Sequence, residues 1–275
     1  MKMPESQIRV EYNYHCGTDL SVVNAARRSF NKRSAWDVGE NGDTKLKASD
    51  KSLLEFLARG MTSKDYEQFV NKVEDSIFGT YSISQGDKGL LKELMWQWRN
   101  TPTHDTPFNH CFISFDVEAP IFVRAQLVKH EYLILSEFSR RYVTEGIEFY
   151  TPDTWRGTSE DKKQGSDPSV SIDTSYYYDP VEGTLTYNKD AYDTALECYE
   201  AMLNRGVAPE QARMVLPQAT MTAWTWSGTL GAFAKMCQLR LSPDAQYEAR
   251  LVAQQIYDQL KQYYPVSAKA LVEGV

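Results

Sequence analysis

Residues Pro120 to Tyr142, PIFVRAQLVKHEYLILSEFSRRY, decide how this chain is read. The pattern predicts one helix and the turn after it, carrying Arg124, Gln126, Lys129, His130, Glu131, Ser136, Glu137, Ser139, Arg140 and Arg141. Pro120 suits a first helical position, where no N–H is needed. In such a helix Gln126, Lys129 and His130 fall at i, i+3 and i+4 and share a face. An amide, a cation and an imidazole together suit an anionic ligand better than a core. A solvated helix face would carry the same residues. The interleaved Ile121, Phe122, Val123, Leu127 and Val128, with Leu133 to Leu135 beyond, argue instead for a mostly buried segment whose polar groups need partners.

Outward from this segment the chain reads as α+β: a single domain over 1–275 with a small antiparallel sheet against long helices. Ile8 to Tyr14 alternates as a strand, and Asp19 is the expected N-cap of a helix through Val22, Val23, Ala26 and Phe30. Cys111 to Val117 reads as a second strand leading directly into the central helix, and Val143 to Tyr150 as a possible third. Residues 153–185, rich in Gly, Ser, Asp and Thr, read as a long surface loop. From Asn188 the chain reads as helical. One helix ends near Gly206, a short one starts at Pro209, Pro217 breaks it, another runs to Leu239, and Pro243 opens the last. Residues 34–100 carry helical apolar stripes such as Leu53, Leu54, Phe56 and Leu57, and read as a packed cap or an extra subunit contact.

Composition narrows the function. The 275 residues carry a formal charge of −7, which excludes general nucleic-acid binding, so an anionic ligand needs a local positive pocket. No apolar run approaches a membrane span. Cys16, Cys111, Cys198 and Cys237 are scattered without a CxxC pair, implying reduced thiols and a cytoplasmic setting. His104, Asp105, His110 and His130 could converge on a metal, but the HxxxxxH spacing without flanking carboxylates is weak for zinc or iron, and none is expected. Ser139 lacks an adjacent His base and is a poor nucleophile candidate. Glu137 and Ser139 flank Phe138, so in an extended turn their side chains point the same way.

The central segment resembles the signature of the flavin-dependent thymidylate synthases: Arg-His-Arg, seven residues, then Ser, with Glu two places before that Ser and Arg-Tyr closing. Here Lys129-His130-Glu131 precedes Ser139 at that spacing, with Glu137 before it and Arg141-Tyr142 after. THDTPFNH (Thr103 to His110), AARRSF (Ala25 to Phe30), ARMVLP (Ala212 to Pro217) and LRLSPDAQYE (Leu239 to Glu248) resemble further blocks of that family, in the same order. The resemblance covers roughly residues 7–33 and 101–265, so about 34–100 is an insertion of this chain.

The resemblance implies conversion of dUMP to dTMP, with methylenetetrahydrofolate as carbon donor and FAD, reduced by NADPH, as hydride source. It implies that Ser29, His104, Thr106, Lys129, His130, Glu131, Glu137, Thr229 and Lys235 meet FAD or the folate on it. It implies that Gln126, Lys129, Glu137, Ser139, Arg140, Arg141, Arg213 and Arg240 bind dUMP. Arg240 is the implied catalytic residue, a fixed cation that favours the ionised uracil N3. A cytoplasmic homotetramer with shared sites is implied as well. The sequence also departs from the family. Glu131 replaces an arginine that helps hold the flavin phosphates, Ser136 stands for Asn, Arg140 for Gly, and Thr229 and Lys235 for Asn. Lys235 or Arg140 is expected to restore the lost charge. Two alternatives stay open: a pyrimidine-nucleotide transferase passing another group such as hydroxymethyl, and a non-catalytic nucleotide- or flavin-binding homologue.

Overall fold

The computed structural model describes residues 8–59, 104–159, 166–172, 177–179, 183–185 and 187–274. The apolar stripes expected beyond residue 59 in the insertion lie outside these. Two compact units divide the chain. The first takes in Met1–Asn13, Ser114–Ser227 and Arg240–Gln255; the second takes in Tyr14–Ile113, Gly228–Leu239 and Ile256–Val275.

The first unit is built on a four-stranded sheet in the order β1 (Arg9–Cys16), β4 (Phe112–Pro120), β10 (Met221–Thr229), β5 (Leu133–Glu137). β4 follows from a run that buries nearly every other side chain, including Phe115, Val117 and Ala119. Helix α3 (Ile121–Leu127) leaves β4 at Pro120, which is its N-cap and not its first helical residue. α3 is seven residues long, so the single helix expected through this segment does not form. Its chain turns at Tyr132, held at φ 63° in the left-handed region that halts a helix. Leu133–Glu137 then pairs as a strand, with Ile134 67% exposed, so this stretch is not the buried helix of the sequence reading.

β10 corrects a second expectation, since the sequence pattern places Met221–Thr229 within a helix. Trp224 and Trp226 are buried on this inner strand, and a strand covered on both sides loses the simple alternation that marks strands in sequence. Val143 to Tyr150 forms only an isolated bridge, Phe149 to Thr220. The stretch read as a surface loop contains two antiparallel hairpins, β6 (Arg156–Thr158) with β7 (Ser166–Ser171) and β8 (Tyr177–Asp179) with β9 (Gly183–Leu185). Helix α4 (Tyr187–Asn204) stops before Gly206, which has φ 85°, and α5 is the short Pro209–Ala212. Tyr199 and Ala212 pack with Ile147 and Phe149 in a side core.

In the second unit α1 (Asp19–Arg27) packs against α2 (Ala48–Ala58), which packs on α8 (Pro265–Val272). Val22, Val23, Leu54, Leu57, Phe108, Phe233 and Leu271 form its interior. The hairpin β2 (Asp37–Val38) with β3 (Thr44–Lys45) precedes α2. Thr18, not Asp19, caps α1: its N–H meets Ser21 Oγ at 3.0 Å. Asp19 is 2% exposed and instead accepts the N–H groups of Val266 and Ser267 in the first turn of α8, at 2.9 and 3.0 Å. α6 (Leu230–Arg240) and α7 (Tyr247–Tyr263) complete the order, α7 starting four residues after the expected Pro243 because 241–246 turn first.

Candidate active site

The last turn of α3 delivers Gln126, and the turn beyond delivers Lys129 and His130. The three residues expected on one helix face therefore converge by a different local route. Gln126 and Lys129 line a cleft of about 570 Å³ together with Arg240, Arg156 and Gln246. Arg240, the last residue of α6, donates from Nε to His130 Nε2 and from Nη2 to the Gln126 carbonyl, each at 2.9 Å. Because Nε2 accepts here, His130 is the neutral tautomer with its proton on Nδ1. Burial, followed by the Arg240 charge, pushes the His130 pKa down to about 4, which keeps that acceptor available at neutral pH. Burial also lowers the pKa of Arg240, which stays cationic. Both of its acceptors are uncharged, so the guanidinium is held in place while its charge stays uncancelled. The side-chain amides of Gln126 and Gln246 pair beside it.

A second cleft of the same unit, about 270 Å³, is lined by Glu137, Ser139, Arg140, Arg141, Arg213 and Thr222 among others. Glu137, at the end of β5, accepts Thr222 Oγ1 at 2.8 Å on one oxygen and faces Arg124 Nη2 at 2.7 Å on the other. Its charge is therefore matched, and its orientation fixed, by neighbours. Arg140 donates to the carbonyls of Glu145 at 2.7 Å and Gly146 at 3.1 Å and lies over the Phe138 ring, 4.7 Å from the centroid. Its Nε is buried without a partner, and burial lowers its pKa. Arg141 folds back on Ser139, Nε to Oγ at 3.2 Å, and Arg213 donates to the Glu210 carbonyl at 3.3 Å. Three arginines against one neutralised carboxylate make a cleft suited to a multiply charged anion.

Glu131 is exposed in the turn between α3 and β5, where water screens its charge. The remaining expected cofactor residues lie in the second unit. Thr229 caps α6, accepting the Ala232 N–H at 3.2 Å and donating to Asn109 Oδ1 at 2.8 Å. Lys235 pairs with Asp105 at 3.1 Å. Exposed Thr106 opens the 3₁₀ turn Thr106–His110, next to exposed His104, and Ser29 sits in the turn Arg28–Phe30 that follows α1. A cavity of about 560 Å³ in this unit is lined by Asn24, Arg28, Lys32, Arg33 and His110 among others. Among the described residues no group of three or more His, Cys, Asp or Glu is placed to hold a metal.

Several residues at these clefts had no assigned role in the sequence. Arg124 was visible in the central segment, but only its ion pair with Glu137 shows its task. Gln246 and Arg156 gave no signal, since their clefts arise from pairing between distant segments. Arg156 joins buried Glu248, which also accepts Tyr150 Oη at 3.4 Å.

A family model described as thymidylate synthase complementing protein matches residues 12–266. A flavin-dependent thymidylate synthase of Gluconobacter oxydans is 34% identical over 200 residues, 71% of this chain and 62% of that protein. The enzyme of the same name from Thermus thermophilus is 34% identical over 195 residues, 71% of this chain and 67% of that one. The chain thus spans about 62% of the length of the first of these relatives. The fold is similar to that of a UMP/dUMP methylase, PolB of Streptomyces cacaoi, solved with 5-Br dUMP, with a TM-score of 0.63 at 24% identity over 98% of this chain and 96% of that one.

Proposed function

The chain belongs to the thymidylate synthase complementing protein family, and on that premise we propose that it is a flavin-dependent thymidylate synthase that methylates dUMP at C5. The observation that carries this reading is the Arg240 clamp: a guanidinium fixed by His130 and the Gln126 carbonyl, with its charge unspent, on the wall of an open cleft. A cation so placed stabilises negative charge on a uracil ring, favours the ionised N3 and makes C5 nucleophilic without a covalent enzyme adduct. Gln126 supplies an amide edge for the base, and Lys129 a cation for the nucleotide or flavin.

Arg140, Arg141, Arg213 and Ser139 suit the dianionic phosphate, and Glu137, oriented by Arg124 and Thr222, offers an acceptor to ligand hydroxyl or N–H groups. The carbon comes from methylenetetrahydrofolate: C5 gains a carbon–carbon bond and gives up its proton, and tetrahydrofolate leaves. When bound, the flavin reduced by NADPH supplies the hydride that completes the methyl group. The resemblance implies contacts to it from Ser29, His104, Thr106, Thr229 and Lys235, which lie within the second unit, and from Lys129, His130, Glu131 and Glu137, which lie within the first. Arg28, Lys32 and Arg33 on the second unit, without a carboxylate partner among the described residues, suit its phosphates.

A homotetramer with shared sites is part of the proposal. Tyr132, Ile134, Tyr142 and Met214, each at least 67% exposed, lie in the segments that carry the two clefts, and apolar exposure of this kind suits a subunit contact. No disulfide joins Cys16, Cys111, Cys198 and Cys237, which suits a reducing cytoplasm. Product analysis tests the activity. Protein incubated with dUMP, methylenetetrahydrofolate, FAD and NADPH should yield dTMP; 5-hydroxymethyl-dUMP, or nucleotide binding without turnover, would replace this reading. Light scattering tests the assembly, and a monomer would overturn the tetramer.

A further inference from the structure

We propose that Arg28, Lys32 and Arg33 form the diphosphate-binding end of the flavin site, an inference that rests on the flavin reading above. The stretch Arg27 to Arg33, RRSFNKR, holds four cations in a chain of net charge −7. Only one of the four is neutralised. Arg27 meets the buried carboxylate of Asp50, with Nε at 3.1 Å, while Arg28, Lys32 and Arg33 have no carboxylate partner among the described residues.

The backbone that carries these three cations is held in place. Asn24 grips Ser34 with both ends of its amide: Oδ1 accepts the Ser34 N–H at 2.7 Å, and Nδ2 donates to the Ser34 carbonyl at 3.3 Å. Ser34 Oγ in turn donates to Asp50. Asn31 turns the chain with φ 50°, and the Lys32 N–H returns to the Arg27 carbonyl at 3.1 Å. The loop is thus tied back on α1, and its cations stand on the wall of a cavity that no carboxylate lines. Like charges confined together repel, and a polyphosphate removes that repulsion while taking forked contacts from arginine.

The two residues expected from sequence to replace the missing phosphate-binding arginine are committed elsewhere. Lys235 is paired with Asp105, and Arg140 spends both terminal nitrogens on backbone carbonyls. Neither is free to replace the charge lost at Glu131.

Flavin fluorescence titrations of the full-length protein with FAD and with riboflavin, which lacks the phosphates, test this. Wild type should prefer FAD, and the triple variant R28Q/K32Q/R33Q should lose that preference by about 100-fold with riboflavin affinity unchanged. A thermal melt monitors folding, and single variants, each expected to lose about 5- to 10-fold, replace the triple if it does not fold. An FAD preference that survives in the triple variant or in all three singles overturns the proposal. If wild type binds neither flavin, the flavin reading itself fails. Inorganic pyrophosphate, titrated calorimetrically, then decides the rest: binding by wild type that is lost in the variants keeps the cluster as a diphosphate site, and no binding removes it.

Discussion

Arg240 and Arg124 occupy the same unit and have opposite fates. Arg124 faces a carboxylate, so its charge is used to hold Glu137 in position. Arg240 is held by an imidazole nitrogen and a carbonyl oxygen, so it is just as fixed but still carries an uncompensated charge. An arginine held by neutral acceptors is placed to act on a ligand, whereas one held by a carboxylate positions its partner. Lys235 with Asp105 belongs to the second kind, whereas Arg28, Lys32 and Arg33 have no carboxylate partner among the described residues and line a cavity.

The largest effect is expected at Arg240. Arg240→Gln keeps an amide near His130 but removes the charge, and should lower kcat by about 10³-fold with the melting temperature nearly unchanged. A small loss would mean that this charge does not act on the ring. Next comes acid. The folded His130 pKa lies near 4, below its ordinary value of 6.5, so between these values the unfolded chain binds the proton and the folded one does not, and stability should fall as pH drops from about 6.5 toward 4. The folded imidazole is itself protonated only as pH approaches 4, which removes the acceptor for Arg240, so dUMP affinity should fall there. His130→Gln should flatten the affinity profile, and an unchanged slope would place the pH dependence elsewhere.

Glu137→Gln should act less strongly. It keeps an acceptor for Thr222 but leaves Arg124 without its counter-charge in a partly buried place, and should weaken dUMP binding by about tenfold and lower stability by about 1 kcal/mol. Calorimetric titration and a denaturant melt read both. Lys235→Gln removes a pair whose lysine is 54% exposed, so the melt should shift by less than about 1 kcal/mol.

Much of this arrangement was legible in the sequence, though not its local geometry. Gln126, Lys129 and Arg240 line one cleft, and β1, β4, α1 and α4 lie close to where their patterns put them. The misses share a cause. Leu133–Glu137 and Met221–Thr229 are strands whose form is set by pairing with each other in the sheet, and their apolar runs suit helix or strand equally well. The halt at Tyr132 needs a left-handed residue that is not glycine, which composition does not signal. Asp19 looked like a local cap, but its partners lie at Val266 and Ser267. Arg156 and Gln246 reach their cleft only through tertiary contacts. The sequence showed the cations of RRSFNKR, but which one Asp50 neutralises required the fold.

The most direct test of the Arg240 account is the ultraviolet difference spectrum of dUMP bound to the protein at neutral pH. The account predicts the spectrum of N3-ionised uracil with wild type and of neutral uracil with Arg240→Gln. A neutral uracil spectrum on the wild-type protein at saturating dUMP would contradict it.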